Sequence, residues 1–255
     1  MLLKAMKGKK VAIAFSGGVD SSLVAKASID AGIDSIAITI SSPLMAESSL
    51  KNARKIAKEI GIEHVIAYEE LEEMVRKNPY NRCYFCKKSS AKLWKKIAKE
   101  RGFDIVADGI NADEIKNEFY YGIKALDEEG IWHPLAELNF SKKEVREVAH
   151  KIGLSNWNIP SDSCLASRIA YGEEIEEKKL KMIEKAEDYL RKFSPVVRLR
   201  LHGKIARIEV DEKDIEKLFY AKEEVIKELK RIGFKYITID LEGYREGSMN
   251  ERGKI

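Results

Sequence analysis

The sequence predicts an α/β protein: a parallel sheet with helices on both faces, joined to a smaller α+β C-terminal domain. Three observations carry that prediction. Short apolar, β-branched runs alternate with amphipathic stretches as far as residue 109. Glycines at 32, 61 and 102 close those stretches, as helices favour a residue that tolerates left-handed backbone just past their end. Beyond about residue 160 the alternation stops, and the pattern becomes helix, hairpin, helix, strand.

In chain order, KVAIAF (10–15) is a buried strand and VDSSLVAKASIDAG (19–32) a helix ending at Gly32. DSIAITI (34–40) is the second strand, ESSLKNARKIAKEIG (47–61) the second helix and EHVIAY (63–68) the third strand. SSAKLWKKIAKERG (89–102) reads as an amphipathic helix and FDIVADG (103–109) as a fourth strand. Strands separated by helices in this way pair in parallel. Further on, KLKMIEKAEDYLRKF (179–193) is a helix, and VVRLRLHGKIARIEV (196–210) is two alternating runs joined at Gly203 and Lys204, a hairpin. AKEEVIKELKRIG (221–233) and KYITIDL (235–241) add a helix and a strand. The expected domains are residues 1–165 and 166–255.

At 44% hydrophobic and 35% charged residues the chain is globular rather than disordered. No apolar run is long enough to span a bilayer, and MLLKAMKGKKVAIAF shows no small-residue cleavage site. The expectation is a cytoplasmic protein with no membrane partner. A net charge of +4 suits a nucleotide-sized anion and does not call for nucleic acid. Interleaved Lys and Glu on the helices fit either ion-pair networks or plain solvated faces.

FSGGVDSS (15–22) links the first strand to the first helix. Its glycines let the backbone approach a ligand, and the N–H groups of a helix start favour an anion. The Walker A spacing and lysine are absent, and so is GxGxxG. The string is similar to the PP-loop of the adenine-nucleotide alpha-hydrolase superfamily, whose members split ATP between the α and β phosphates. That likeness implies that Ser16, Gly17, Gly18, Asp20 and Ser21 hold phosphate together with Mg²⁺. ISSP (40–43) and DGINADE (108–114) follow strands on the same sheet edge, so Ser42 and Gly109 are candidates for the ATP pocket. Asp20 and Asp113 are candidate magnesium ligands; Asp108 and Asn111 could also place oxygens there, although Asp and Asn equally favour ordinary turns.

Cys83 and Cys86 form a CxxC beside Arg82, Lys87 and Lys88, and Cys164 is the only other cysteine. Zinc would need these three plus one of His64, His133, His150 and His202, none at short ligand spacing. A redox dithiol leaves Cys164 unused. Three thiolates suit a [4Fe–4S] cluster with one iron left without a protein ligand. Arg168 follows Cys164 by four residues, and Arg198 and Arg200 share one face of a strand. Their guanidinium forks suit carboxylates and phosphate, making them candidates for substrate binding.

SGGVDSSLVAKA, NRCYFCKK, PSDSCLASRIAYGEEI, RLRLHGKIARIEV and GFKYITIDLEGYREGSMN, taken in order, resemble the LarE sulfurtransferases. The last three are far more specific than the PP-loop, and together the matches run nearly the length of the chain. The resemblance implies ATP-dependent adenylation of a carboxylate of pyridinium-3,5-biscarboxylic acid mononucleotide. Sulfur then displaces AMP, and repetition gives the bisthiocarboxylate from which the nickel-pincer cofactor is made. In one version of the family Cys164 would give up its own sulfur and become dehydroalanine. In the other, Cys83, Cys86 and Cys164 would hold a sulfur-carrying [4Fe–4S] cluster, and the presence of all three resembles this version. The source of the sulfide stays open. The resemblance also implies a homo-oligomer, a trimer or hexamer, to which GYREGSMN (243–250) could contribute.

The rival readings are a PP-loop tRNA thiolase, an ammonia-using amide ligase and a non-catalytic nucleotide-binding module. A thiolase would carry a broader basic face and an RNA-binding module, and a ligase has no need of cysteines.

Overall fold

The computed structural model describes residues 8–116, 121–160, 162–245 and 248–250. The chain divides into two compact units, one formed by residues up to 75 together with 80–162, the other by residues 76–79 and those from 163 onward.

In the first unit, strands β1 (Val11–Ala14), β2 (Ser35–Ser41), β3 (Glu63–Tyr68) and β4 (Ile105–Ala107) form one sheet in the order β3-β2-β1-β4. Every pairing is parallel. Between the strands run helices α1 (Val19–Asp30), α2 (Glu47–Ile60) and α3 (Arg82–Glu100); α4 (Tyr121–Glu128) and α5 (Lys142–Lys151) follow β4. Alternation along β1 decides which helix packs where. Val11, Ile13 and Phe15 join Val24 of α1, Ile56 of α2 and Val145 of α5 in one core. Ala12 and Ala14 join Ala91 and Trp94 of α3 and Leu126 of α4 in another. The helices therefore cover both faces, as the sequence predicts. Since β2 and β3 lie on one side of β1 and β4 on the other, the chain reverses its progression between β1 and β4. Ligands of such sheets bind at that switch point, outside the carboxyl ends of the strands.

The reading of α3 from Ser89 is short by two turns, for the helix begins at Arg82 and carries Cys83 and Cys86 within it. Cys, Tyr and Phe are indifferent helix formers, but the apolar stripe of Ala91, Trp94 and Ala98 packs on the sheet and draws the helix back over them. Two helix starts between 111 and 144 had local signals. Asn111 with Glu114, and Ser141 with Glu144, each close a reciprocal capping box.

In the second unit, β5 (Val197–His202) and β6 (Ile205–Val210) form the expected antiparallel hairpin, turning at Gly203 with φ 57°. Strand β7 (Tyr236–Ile239) pairs parallel to β6 on its other side. Helix α6 (Glu177–Leu190) buries Leu180, Ile183, Ala186, Glu187 and Leu190, spacing that lays one stripe inward. Helix α7 (Lys222–Ile232) precedes β7 and is closed by Gly233. No helix among the described residues is long and apolar enough to cross a membrane. Within GYREGSMN, residues 246 and 247 lie outside the described residues, as does MLLKAMK at the start.

Candidate active site

The loop after β1 stands at the switch point. Ser16 and Gly18 are exposed while Gly17 between them is buried. Gly17 adopts φ +75°, and a Cβ there would lie 2.6 Å from the Cα of Ala53 on α2, so only glycine fits. Helix α1 starts after Gly18 with no side chain capping it, which leaves its first N–H groups available to a ligand. Ser21 Oγ donates to the Gly18 carbonyl (3.2 Å) and lies 3.3 Å from Ser16 Oγ. The five predicted phosphate-loop residues are thus one local structure.

Gly109, after β4, comes against the same loop: a Cβ on it would lie 2.5 Å from Ser21 N. Ser42, after β2, turns its own strand end, its oxygens accepting from the N–H groups of Leu44 and Met45. Asp20, in the first turn of α1, accepts from Asn111 Nδ2 (3.1 Å) and is ion-paired with Lys142. Asp113 is exposed and accepts from the backbone N–H of Lys142 (2.8 Å). Lys142 therefore stands between the two candidate magnesium ligands.

Asp108 sits beside them and is buried. Its Oδ1 accepts from Ile110 N (3.0 Å) and meets His133 Nδ1 at 2.8 Å. Its Oδ2 is buried with no hydrogen-bond partner among the described residues, a costly state for a carboxylate oxygen that a cation or ligand donor would relieve. Burial pulls His133 towards the neutral form, but the hydrogen bond and charge of Asp108, and then Asp127, outweigh it and leave its pKa raised. Burial pushes the Glu114 carboxyl up; the Asn111 N–H opposes this, and the charges of Asp20 and Asp108 add to it. Asp20 and the spare oxygen of Asp108 offer the carboxylate oxygens that suit Mg²⁺. His133, Lys142, Asn52 and Asn156 all touch this loop system, yet no sequence pattern marks any of them.

Cys83 and Cys86, three residues apart on α3, share one side of the helix and are half-buried. Of the nearby bases, Lys88 is committed to Tyr84 and Glu128, at 2.9 and 2.8 Å. Lys87 projects over Trp94. Cys164, in the second unit, is exposed at the head of a helical turn, Leu165–Arg168. Among the described residues no group of three or more His, Cys, Asp or Glu side chains is placed to hold a metal ion. The thiols have the right chemistry for an iron–sulfur cluster.

Arg168 is 1% exposed. Its Nε and Nη2 meet the two oxygens of buried Glu187 at 2.9 and 3.1 Å, and its Nη1 donates to the carbonyls of Ser163 and Cys164. Glu187 also accepts from the backbone N–H of Leu199 (2.9 Å) on edge strand β5. The pair fastens the Cys164 turn to helix and sheet. Arg200 pairs with buried Glu209 through a single oxygen, its Nε and Nη2 both donating to Oε2 at 3.0 and 2.8 Å. Arg198, on the same side of β5, stacks on Tyr244 with 5.3 Å between guanidinium and ring.

The asparagine synthase family model matches residues 3–194. An uncharacterised Synechocystis protein is 40% identical over 246 residues, covering 93% of this chain and 91% of that protein. The pyridinium-3,5-bisthiocarboxylic acid mononucleotide synthase of Lactiplantibacillus plantarum is 34% identical over 256 residues, covering 98% of this chain and 92% of the synthase. The chain belongs to the LarE family. As a LarE-family protein it is an ATP-using sulfurtransferase of the PP-loop type. A tRNA-specific 2-thiouridylase of Clostridioides difficile is 30% identical over 220 residues, but only 60% of that enzyme is covered. That likeness reaches as far as a shared PP-loop domain.

Proposed function

We propose that this protein makes the bisthiocarboxylate precursor of a nickel-pincer cofactor by ATP-dependent sulfur transfer to pyridinium-3,5-biscarboxylic acid mononucleotide. The observation that carries the reading is the near full-length match to the Lactiplantibacillus synthase, whose name is that of the product. The phosphate loop at the sheet's switch point supports it.

In the first step a substrate carboxylate oxygen attacks the α-phosphorus of ATP, and the bond to the bridging oxygen breaks. Pyrophosphate departs onto Ser16, Gly17, Gly18, Asp20 and Ser21, whose N–H groups and hydroxyls meet the charge it gains. Ser42 and Gly109 line the nucleotide side. Mg²⁺ would be held by Asp20 and Asp108, with Asp113 acting through Lys142, and would neutralise the phosphates. In the second step a sulfur nucleophile attacks the acyl carbon and AMP leaves with the bonding pair. Repetition on the other carboxylate completes the product.

Cys83, Cys86 and Cys164 would hold a [4Fe–4S] cluster, which when bound supplies the sulfur. Arg198 would receive the substrate's carboxylate or phosphate. The expectation that Arg168 and Arg200 do so gives way to a structural role, since Glu187 and Glu209 hold their guanidinium groups, Arg168 fastening the turn that presents Cys164. Residues 1–165 would serve the nucleotide, and residues 166–255 the substrate and a trimeric or hexameric assembly, in the cytoplasm. A second reading rests on the exposed thiol of Cys164: it attacks the acyl-adenylate itself. Loss of its Cα proton then breaks the Cβ–S bond, leaving dehydroalanine on the protein and the thiocarboxylate on the substrate.

The test is pyrophosphate release with different acceptors. Release that depends on the pyridinium biscarboxylate mononucleotide, and not on tRNA or ammonia, is expected. Release that depends on tRNA would transfer the protein to the thiolases.

A further inference from the structure

The phosphate loop is held in shape from behind. Asn156 is 1% exposed, and its Nδ2 donates to the Gly17 carbonyl (2.8 Å) and to Ser22 Oγ (2.9 Å). Ser22 Oγ in turn donates to the Gly18 carbonyl at 2.8 Å. Asn52 Nδ2, from α2, reaches the Gly17 carbonyl as well, at 3.0 Å. Both carbonyls of the glycine pair are therefore drawn into the protein.

The peptide bonds are trans, so each carbonyl lies opposite the N–H of its own peptide unit. With the Gly17 and Gly18 oxygens turned inward, the N–H groups of Gly18 and Val19 face the other way at the start of α1. The first of them donates to the hydroxyl of exposed Ser16 at 3.2 Å, so that a bound anion would share or displace that bond. Two successive N–H groups facing one way make an anion-binding nest. Without the inward donors, the φ of +75° at Gly17 would be one of several conformations open to a glycine.

We propose that Asn156 is a positioning residue for adenylation. It fixes the Gly17–Gly18 peptide plane directly, with Asn52 as a lesser support. Through Ser22 Oγ it braces the Gly18 carbonyl, which the Ser22 N–H (3.0 Å) and Ser21 Oγ (3.2 Å) also hold. The inference rests on the reading of this loop as the pyrophosphate site, and adds residues 52 and 156 to it.

Titration calorimetry of the full chain with Mg-pyrophosphate, Mg-ATP and AMP tests the assignment. Asn156→Ala takes a buried donor from the Gly17 carbonyl, and should weaken pyrophosphate and ATP by about fivefold to about a hundredfold. Asn156→Asp keeps the shape but sets a carboxylate against the Gly17 carbonyl, and should weaken them further. Asn52→Ala, at a half-buried position, should weaken them by about threefold and tests the clamp even if an Asn156 variant fails to fold. AMP affinity should stay within about twofold of wild type in every folded variant, since a general loosening of the unit would move it as well. Variants that bind pyrophosphate like wild type, or that lose AMP in equal proportion, overturn the role of Asn156. Wild-type protein that binds neither ATP nor pyrophosphate overturns the loop assignment itself.

Discussion

Gly109 leaves no room for a methyl group, because a Cβ there would meet the Ser21 nitrogen at 2.5 Å. Gly109→Ala should displace the start of α1 at about 1–3 kcal/mol of overpacking, and slow pyrophosphate release at least about tenfold. A stopped-time pyrophosphate assay checks this. Cys164→Ser should abolish thiocarboxylate formation yet leave pyrophosphate release near wild type, measured on the same reaction. Protein prepared without oxygen should hold about four irons per chain, lost on replacement of Cys83, Cys86 or Cys164 by Ser; iron and acid-labile sulfide assays read this directly. SGGVDSS and the Cys83–Cys86 pair were visible because their spacing is local, and Cys164 because it is the only other cysteine. Asn156, Lys142 and Asn52 were not. Each is a single polar residue whose partner lies far away in sequence, as with Asn156 and Gly17, 139 positions apart.

Element boundaries follow from competition between local preference and packing. The strands were legible because each is a compact apolar run, and the hairpin because Gly203 interrupts two alternating ones. The early start of α3 was not, since packing of Trp94 and Ala98 on the sheet outweighs weak propensity in the first turns. In α6, Ile183 is fully buried, so Ile183→Ala should cost about 2–5 kcal/mol in denaturant unfolding. Glu187→Gln in the same helix breaks a buried ion pair and should cost about 3–5 kcal/mol. It should also slow sulfur transfer by releasing the Cys164 turn, with adenylation spared. His64 of β3 is tied through Thr39 of β2 to the end of β1, and its burial makes stability depend on pH. The Thr39 hydroxyl donates to the Phe15 carbonyl (2.6 Å), so His64 Nε2 carries the proton and donates to Thr39 Oγ1 at 2.7 Å. Burial, and then the charge of Arg54, lower the His64 pKa. The folded chain therefore binds the second ring proton, which goes onto Nδ1, less tightly than the unfolded chain does. The stability it contributes is complete above the ordinary value of 6.5 and is lost as pH falls through the depressed folded value. Between about pH 7.5 and about pH 5, wild type should lose more stability than His64→Gln.

At the scale of the molecule, two units of different design share one chain. The parallel unit presents a phosphate loop where strand order reverses; the mixed unit buries arginine–glutamate pairs around the Cys164 turn and β5. Fold class was readable because the period of the hydrophobic pattern changes near residue 160. What the pattern does not carry is how each guanidinium is used, since Arg168 and Arg200 stand at exposed-looking positions in sequence and are held by Glu187 and Glu209 in the fold. Mass spectrometry of the nucleotide product, after incubation with ATP, Mg²⁺, sulfide and pyridinium-3,5-biscarboxylic acid mononucleotide, tests the central claim most directly. Exchange of oxygen for sulfur in the substrate carboxylates, matched by pyrophosphate and exceeding one event per chain, is the predicted result. An unaltered substrate, with sulfur appearing only in added tRNA, would contradict it.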